Sequence, residues 1–246
     1  MAGLLFAPAL APNDAWRTSA AEALQPPSPT HLMGTDALGR DVWSRLLVGG
    51  QQTLLQALAA ATLASVLGVA AGATSALGRR WVAIPVRALF TALLAVPPIV
   101  WSLAILTLLG SGRGPLIFAV AVPLIALMAA MSRIVILSVN TRPYVTAAYA
   151  VGATSLRVVI NTILPNSVNT IGRYSAILFA YAIVNATALA FLGFSAPGEP
   201  EWGVMLVDSR LSLRASPWPA LASGLAITAL VGVAMALSRG RDNVNG

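Results

Sequence analysis

No cysteine and no lysine occur among the 246 residues, and histidine occurs once, at His31. Without cysteine there is no disulfide, no thiolate nucleophile and no cysteine zinc site. Without lysine there is no Walker A loop, whose lysine must reach the phosphates, and no Schiff-base chemistry. A single histidine excludes the HExxH zinc arrangement. Charge is scarce as well. Only 9% of residues are charged, against about 25% in ordinary soluble domains. The formal net charge of +7 would suit nucleic acid, but the arginines are scattered between apolar runs rather than gathered on one face. They read as membrane topology, and no nucleic-acid partner is expected.

What is present is apolar residue in long runs, 57% of the chain. Uncharged stretches cover 46–78, 88–112, 114–132, 174–198 and 215–238. A spanning helix needs roughly 20 apolar residues to cross a hydrocarbon core of ~30 Å. Backbone groups in lipid must be bonded within their own segment, so these stretches are helices. The first is too long for one span, and its start, Leu46–Thr53, is expected at the interface. The third can extend past Arg133 to Val139. The alternative, five buried helices of a large soluble bundle, lacks the polar faces such helices need. The apolar stub Met1–Pro12 is interrupted by Pro8 and Pro12 and lacks the basic start of a signal peptide. It reads as the outer end of a first span. The expected fold is an all-α polytopic membrane protein with five full spans and this stub.

The arginines orient the spans. Residues 79–87, 133–173 and the C-terminus share one side and hold nine arginines; the other side holds six. Seven of the eight acidic residues lie on that second side. By the positive-inside rule the 140–172 loop and the C-terminus are cytoplasmic, while 13–45 and 196–214 face outward. The expected division is an outward-facing segment with the stub over 1–45, a transmembrane domain over 46–239 and a tail over 240–246.

Within the spans, Gly68 and Gly72 form a GxxxG that suits close helix packing. Pro97-Pro98 sit inside the second span and predict a kink or a polar lining. No Asp, Glu, Lys or His falls at mid-membrane depth, where ion-coupled carriers place their relays. Energy for transport would have to come from elsewhere. Gln51, Gln52, Gln56, Asn185 and Thr187 are polar candidates for a translocation path, although each could equally bond a neighbouring helix.

Three local sequences go further. In the 140–172 loop, a helix-forming stretch with Tyr144, Thr146, Ala147 and Ala148 is followed by Gly152. A second stretch closes at Leu164-Pro165. This predicts a helix, a bend and another helix along the membrane surface, able to fill a partner's groove. The block GTDALGRDVWSRL over 34–46 predicts a cap at Thr35 or Asp36. It also predicts i,i+4 pairs Asp36–Arg40 and Asp41–Arg45 on a solvated face. Val42, Trp43, Leu46 and Leu47 would face headgroups. A metal site from His31, Asp36 and Asp41 is the weaker reading, and no metal or cofactor is expected. The third block is FLGF over 191–194 with EWGVML over 201–206, Asp208 and Arg210; its Trp202 reads as an interfacial aromatic.

Together these resemble the permease subunits of ABC importers. The loop resembles their EAA coupling motif: an alanine pair, a glycine four residues on, and an Ile-Leu-Pro-Asn close. The other two blocks resemble the second permease subunit of the dipeptide, oligopeptide and nickel branch. The resemblance runs from about Leu5 to about residue 230. It implies a type I importer permease fold in a bacterial inner membrane, with no catalytic residue of its own. It further implies a homologous permease partner, cytoplasmic ATPase subunits and an extracytoplasmic solute-binding protein. Tyr144, Thr146, Ala147, Ala148, Gly152, Leu164 and Pro165 would then form the ATPase docking loop. The motif's usual glutamate is Thr146 here. Peptides, nickel and metal chelates are all open as substrates. Competing readings are an ion-coupled secondary carrier, which predicts charged mid-membrane sites, and a scaffold that binds partners without moving solute.

Overall fold

Apolar runs of this length fold locally, because each helix closes its own backbone bonds. The computed structural model describes residues 10–239. Residues 1–9, which hold most of the apolar stub, and the expected tail at 240–246 lie outside the described residues. The helices are α1 (Val42–Leu77), α2 (Arg80–Leu94), α3 (Pro98–Leu109), α4 (Arg113–Asn140), α5 (Pro143–Ala150), α6 (Ser155–Val158), α7 (Leu164–Phe191), α8 (Trp202–Ser209) and α9 (Trp218–Arg239). A π-helical turn, Val159–Ile163, fuses α6 to α7. Among the described residues there is no β-strand, only an isolated bridge between Thr35 and Asp41.

Four segments are long and apolar enough to cross a membrane: Val42–Leu77, Arg113–Asn140, Ser155–Phe191 and Trp218–Ser238. A fifth is counted when the pair α2 and α3, bent by 95°, is taken as one broken span. Four of the five apolar stretches lie in these long helices and the other in the bent pair, and the third does run on past Arg133. The expected kink at Pro97-Pro98 is a full corner. Pro98 opens α3 at its first turn, where a missing N–H costs nothing. Trp101 Nε1 donates to the Leu93 carbonyl (3.0 Å), which α2 leaves without a partner at its end.

The centre of the bundle is α1 against α4. The two are each other's main neighbours, and α7 packs on both. Contact is close because α1 presents glycine: a Cβ on Gly68 would press on Met128 Cβ, and one on Gly72 would overlap Ser132 Oγ and stand 2.7 Å from the Ala129 carbonyl. Ser132 in turn donates to the Gly68 carbonyl across the interface (3.3 Å). Such backbone proximity holds helices together where lipid is as apolar as leucine. Around it Leu106, Leu116, Leu124, Met128, Ile183 and Leu189 are fully buried. Periphery falls to α2, which buries only Phe90, and to α9.

Leu46–Thr53 is the first part of α1, which at 1.5 Å per residue is about 54 Å long, more than one span needs. Its start is wrapped by the 192–217 region: Leu46, Val48 and Thr53 are buried, and a Cβ on Gly49 would strike the Pro200 carbonyl.

Replacing Gly72 by alanine is expected to lower stability by ~1–3 kcal/mol through overpacking. Gly224→Ala, where a Cβ meets nothing within 4 Å, should be neutral. Thermal unfolding in detergent, monitored by circular dichroism, compares the two.

Candidate functional site

The loop that leaves α4 is built as a module rather than a tether. Pro143 starts α5, and Val145 points inward, fully buried with Ile136, Val158 and Ile163. Ala73, Ala76 and Leu77 at the end of α1 pack against this small core. α5 ends at Gly152, whose φ of +84° is open to glycine at little cost. Gly152 N–H reaches the Tyr149 carbonyl (3.0 Å) and Ala153 N–H reaches Ala148 (3.2 Å). This is the paired-bond helix ending in which glycine takes the left-handed position. Thr154 then caps α6.

What the module shows to solvent is partly apolar. Tyr144, Tyr149, Val151 and Leu156 are all exposed, Val151 at 84%. Thr146, Ala147 and Gly152 are exposed beside them, with Arg142 and Arg157. Residues 134–198 contain no acidic residue. The second half of the expectation needs correction. Leu164-Pro165 does not close a surface helix; it begins α7, with Pro165 in the first turn. The π turn before it makes α6 the lower end of a span instead of a second surface helix. Sequence reading missed Val145, Val158 and Ile163. Their signal is an apolar residue recurring inside a stretch that otherwise looks surface-exposed.

The opposite end of α1 carries a second assembly. Asp41, not Thr35 or Asp36, caps α1, accepting from Ser44 N–H (2.8 Å) and meeting His31 Nδ1 (2.9 Å). Asp36 accepts from Arg40 Nε (2.7 Å) and Arg45 Nη1 (2.6 Å), and both arginines also reach Asp208 of α8. The GTDALGRD block is therefore no solvated face: the side chains of Asp36 and Arg45 are 8% and 4% exposed. Burial alone would raise the Asp36 carboxyl. The Arg40 N–H and the Arg45 and Arg40 charges outweigh it and hold the group below the usual carboxylate range. Val42 and Leu46 face the core and not headgroups. Trp202 is no interfacial aromatic either: it is buried, donating through Nε1 to the Leu46 carbonyl (2.8 Å). Trp16 Nε1 to the Gly198 carbonyl (3.0 Å) ties the chain's early segment to the same block.

The two assemblies occupy opposite ends of one long helix in an all-helical bundle. Residues 64–240 match the family model for the binding-protein-dependent transport system inner membrane component. The chain belongs to that family. It is 33% identical over 228 residues to the dipeptide transport system permease protein DppC of Alkalihalophilus pseudofirmus, covering 92% of this chain and 75% of the relative. It is 32% identical to the di/tripeptide permease protein DppC of Pseudomonas aeruginosa (91% and 76%). It is 31% identical to the glutathione permease protein GsiD of Pectobacterium atrosepticum (82% and 67%). Among solved structures, a chain of the MetNI methionine ABC transporter superposes with a TM-score of 0.68 at 15% identity, covering 79% of this chain and 93% of that one. A chain of an amino acid ABC transporter gives 0.62 at 14%, covering 79% and 91%. The likeness shows the shared fold, that of type I ABC importer permeases. The chain is an importer permease subunit of the bacterial inner membrane, not an enzyme. Such a subunit works with an ATPase and a substrate-binding protein.

Within this permease the polar residues named for a path lie on α1 and α7. Thr187 is buried and donates to the Ile183 carbonyl (2.7 Å). Gln56 is buried and donates to Glu201 (2.7 Å). Asn185 is half-buried and donates to the Tyr181 carbonyl (2.9 Å); Gln52 is half-buried near the start of α1.

Removing one partner of a buried ion pair strands the other. Arg45→Gln is expected to cost about 3–5 kcal/mol. Asp208→Asn, at a side chain 37% exposed, should cost under about 1 kcal/mol. Because the Asp36 carboxyl is lowered, its contribution is complete above the ordinary carboxylate value and lost as pH falls through its own. The block should hold at pH ~5 and loosen only below pH ~4. Unfolding curves of the variants and an acid titration of tryptophan fluorescence check these outcomes.

Proposed function

We propose that this chain is the second permease subunit of an ATP-driven importer of di- or oligopeptides, paired with a homologous permease. The loop over 140–172 faces the cytoplasm and docks on an ATPase subunit. One observation carries the reading: a short helix closed by a left-handed glycine, pinned from beneath and apolar on its outer surface. A flexible linker would not transmit force; this module has its own core. Tyr149, Val151 and Leu156 fit an apolar groove, and Arg142 and Arg157 suit acidic residues on its rim. Thr146 stands where the family's motif has glutamate, so this loop docks without that ion pair and through shape and arginine charge. The outward block over 13–45 and 192–217 would meet the binding protein. The expected domain division follows, with the permease body over 46–239.

The mechanism is mechanical. Closure of the ATPase dimer displaces α5, and the buried Val145 contact passes that displacement to the ends of α1 and α4. Gln52, Gln56, Asn185 and Thr187 remain the path candidates. Of these, half-buried Gln52 and Asn185 are the ones a second subunit could reach without repacking. Peptide is favoured over nickel or a metal chelate because the relatives' names refer to dipeptides, di/tripeptides and glutathione.

No side chain stands within 4 Å of a Cβ built on Gly152, so substitution there acts through backbone conformation alone. A left-handed residue costs roughly 1–2 kcal/mol when it carries a Cβ, more when β-branched. Gly152→Val is expected to cut ATP-dependent uptake of a labelled dipeptide by about tenfold in proteoliposomes holding the full assembly. Gly152→Asn, which tolerates this conformation, should retain most of it. Undiminished transport by the valine variant would remove the docking role. Uptake of nickel and not dipeptide would replace the substrate.

A further inference from the structure

The corner at 200–202 holds a carboxyl that none of the ion pairs uses. Glu201 is 2% exposed at the start of α8, and its Oε1 accepts from Gln56 Nε2 (2.7 Å) across the interface with α1. The other end of that amide is anomalous: Gln56 Oε1 is buried and without a hydrogen-bond donor. An orphaned buried acceptor is costly and calls for an explanation. A carboxylate cannot supply one, having no proton to give; a carboxylic acid can. We propose that Glu201 is a neutral acid held in a two-bond pair with the Gln56 amide, and that loss of its proton unlatches the 200–202 corner from α1. In the latched state Gln56 Nε2 donates to Glu201 Oε1 while the Glu201 hydroxyl donates to Gln56 Oε1. On opening, the hydroxyl proton passes to hydroxide in the outer water, leaving an anion that must be hydrated.

The surroundings favour the neutral form. Burial pushes the carboxyl up and outweighs the Gln56 and Ser195 hydrogen bonds; the nearby Glu199 pushes the same way, and Arg113 opposes. Arg113 is itself engaged by Glu199. From α1 the nearest charge is Arg45, taken by Asp36 and Asp208. The contacts at Gly203 from α7 are Thr187, Ala190 and Phe191, all uncharged. The sign is the reverse of that for Asp36. A carboxyl raised on folding contributes fully at low pH, and its contribution declines as pH climbs from the ordinary carboxylate range to the raised value. Opening is therefore an alkaline event. Trp202, bonded to Leu46, and the close fit of Pro200 on Gly49 are the contacts released with it. The inference does not depend on ATPase docking or on the substrate.

The test is infrared difference spectroscopy of the full assembly in lipid, wild type minus Glu201→Gln, across a pH series. A protonated-carboxyl band is expected at pH 7, sensitive to deuterium and vanishing at alkaline pH. With it, hydrogen exchange at the α8 amides should climb with pH more steeply than base catalysis alone gives in wild type and not in Glu201→Gln, whose amide pair cannot ionise. Absence of the band at pH 7, or titration in the ordinary carboxylate range, overturns the proposal. So does equal exchange in the two proteins. Gln56→Leu leaves the carboxyl in place and removes its partner. The band should then move to higher frequency, and an unmoved band counts against the pair.

Discussion

Everything else in the bundle depends on how near α1 can come to α4. Lipid offers no hydrophobic drive to press two apolar helices together, so contact must come from surfaces that fit. Gly68 and Gly72 remove side chains from α1 where Met128, Ala129 and Ser132 of α4 occupy the space. The hydroxyl of Ser132 then lies near enough to bond the Gly68 carbonyl. α7 packs against both helices, and α3 is tied to α4 by Ser102, which donates to the Ala119 carbonyl. With α1 fixed against α4, its two ends are fixed as well. One holds the small core beneath the 140–154 loop, the other the block around Trp202.

The few charges are divided unequally between those ends. At the start of α1, Asp36, Arg40, Arg45 and Asp208 neutralise one another, and Arg113 pairs with Glu199. At the far end Arg142 and Arg157 stand exposed on a stretch that holds no acid. Internal pairing suits a block whose work is to hold loops together over a helix end. Unmatched arginines around exposed tyrosine, valine and leucine suit a surface completed by another protein. The positive-inside rule and the docking reading thus draw on the same arginines, since the side that keeps basic residues is also the side on which an ATPase would be met.

Much of the fold was legible because lipid imposes a simple length rule. Four of the five uncharged stretches fall in long spanning helices and the fifth in the bent pair, and Arg133 did not end the third because a partly buried arginine can hold its head at a polar neighbour, here the Ser75 carbonyl. The glycine at 152 was legible too, as a residue type that closes a helix. What escaped was long-range. Asp36 and Arg40 read as a weak i,i+4 pair on an open face, since nothing near them in sequence announces Asp208, 168 residues away. Trp202 looked like an interfacial aromatic because its partner, the Leu46 carbonyl, is a backbone atom without any residue signature. Pro165 read as a stop, although proline is equally at home in a first turn. The π turn that precedes it, Val159–Ile163, has no composition of its own to read.

Two long rods, not one, join the loop to the outer block. α1 does so directly. The continuous helical run from Ser155 to Phe191 does so on the other side, rising from the loop and ending where Gly203 of α8 meets it. That meeting is tight: a Cβ on Gly203 would stand 2.8 Å from Ala190 Cβ and 3.0 Å from Phe191 N. Close packing of this kind leaves no slack to absorb a displacement. A push on α5 that moves Val145 therefore acts on the ends of both rods together. Compliance has to reside where the packing is thin. The corner at Pro97-Pro98 is such a place, since α2 buries a single phenylalanine. A permease without an ionisable relay in its membrane core can change access only by moving parts, and this corner, set between rigid elements, is where its chain can bend.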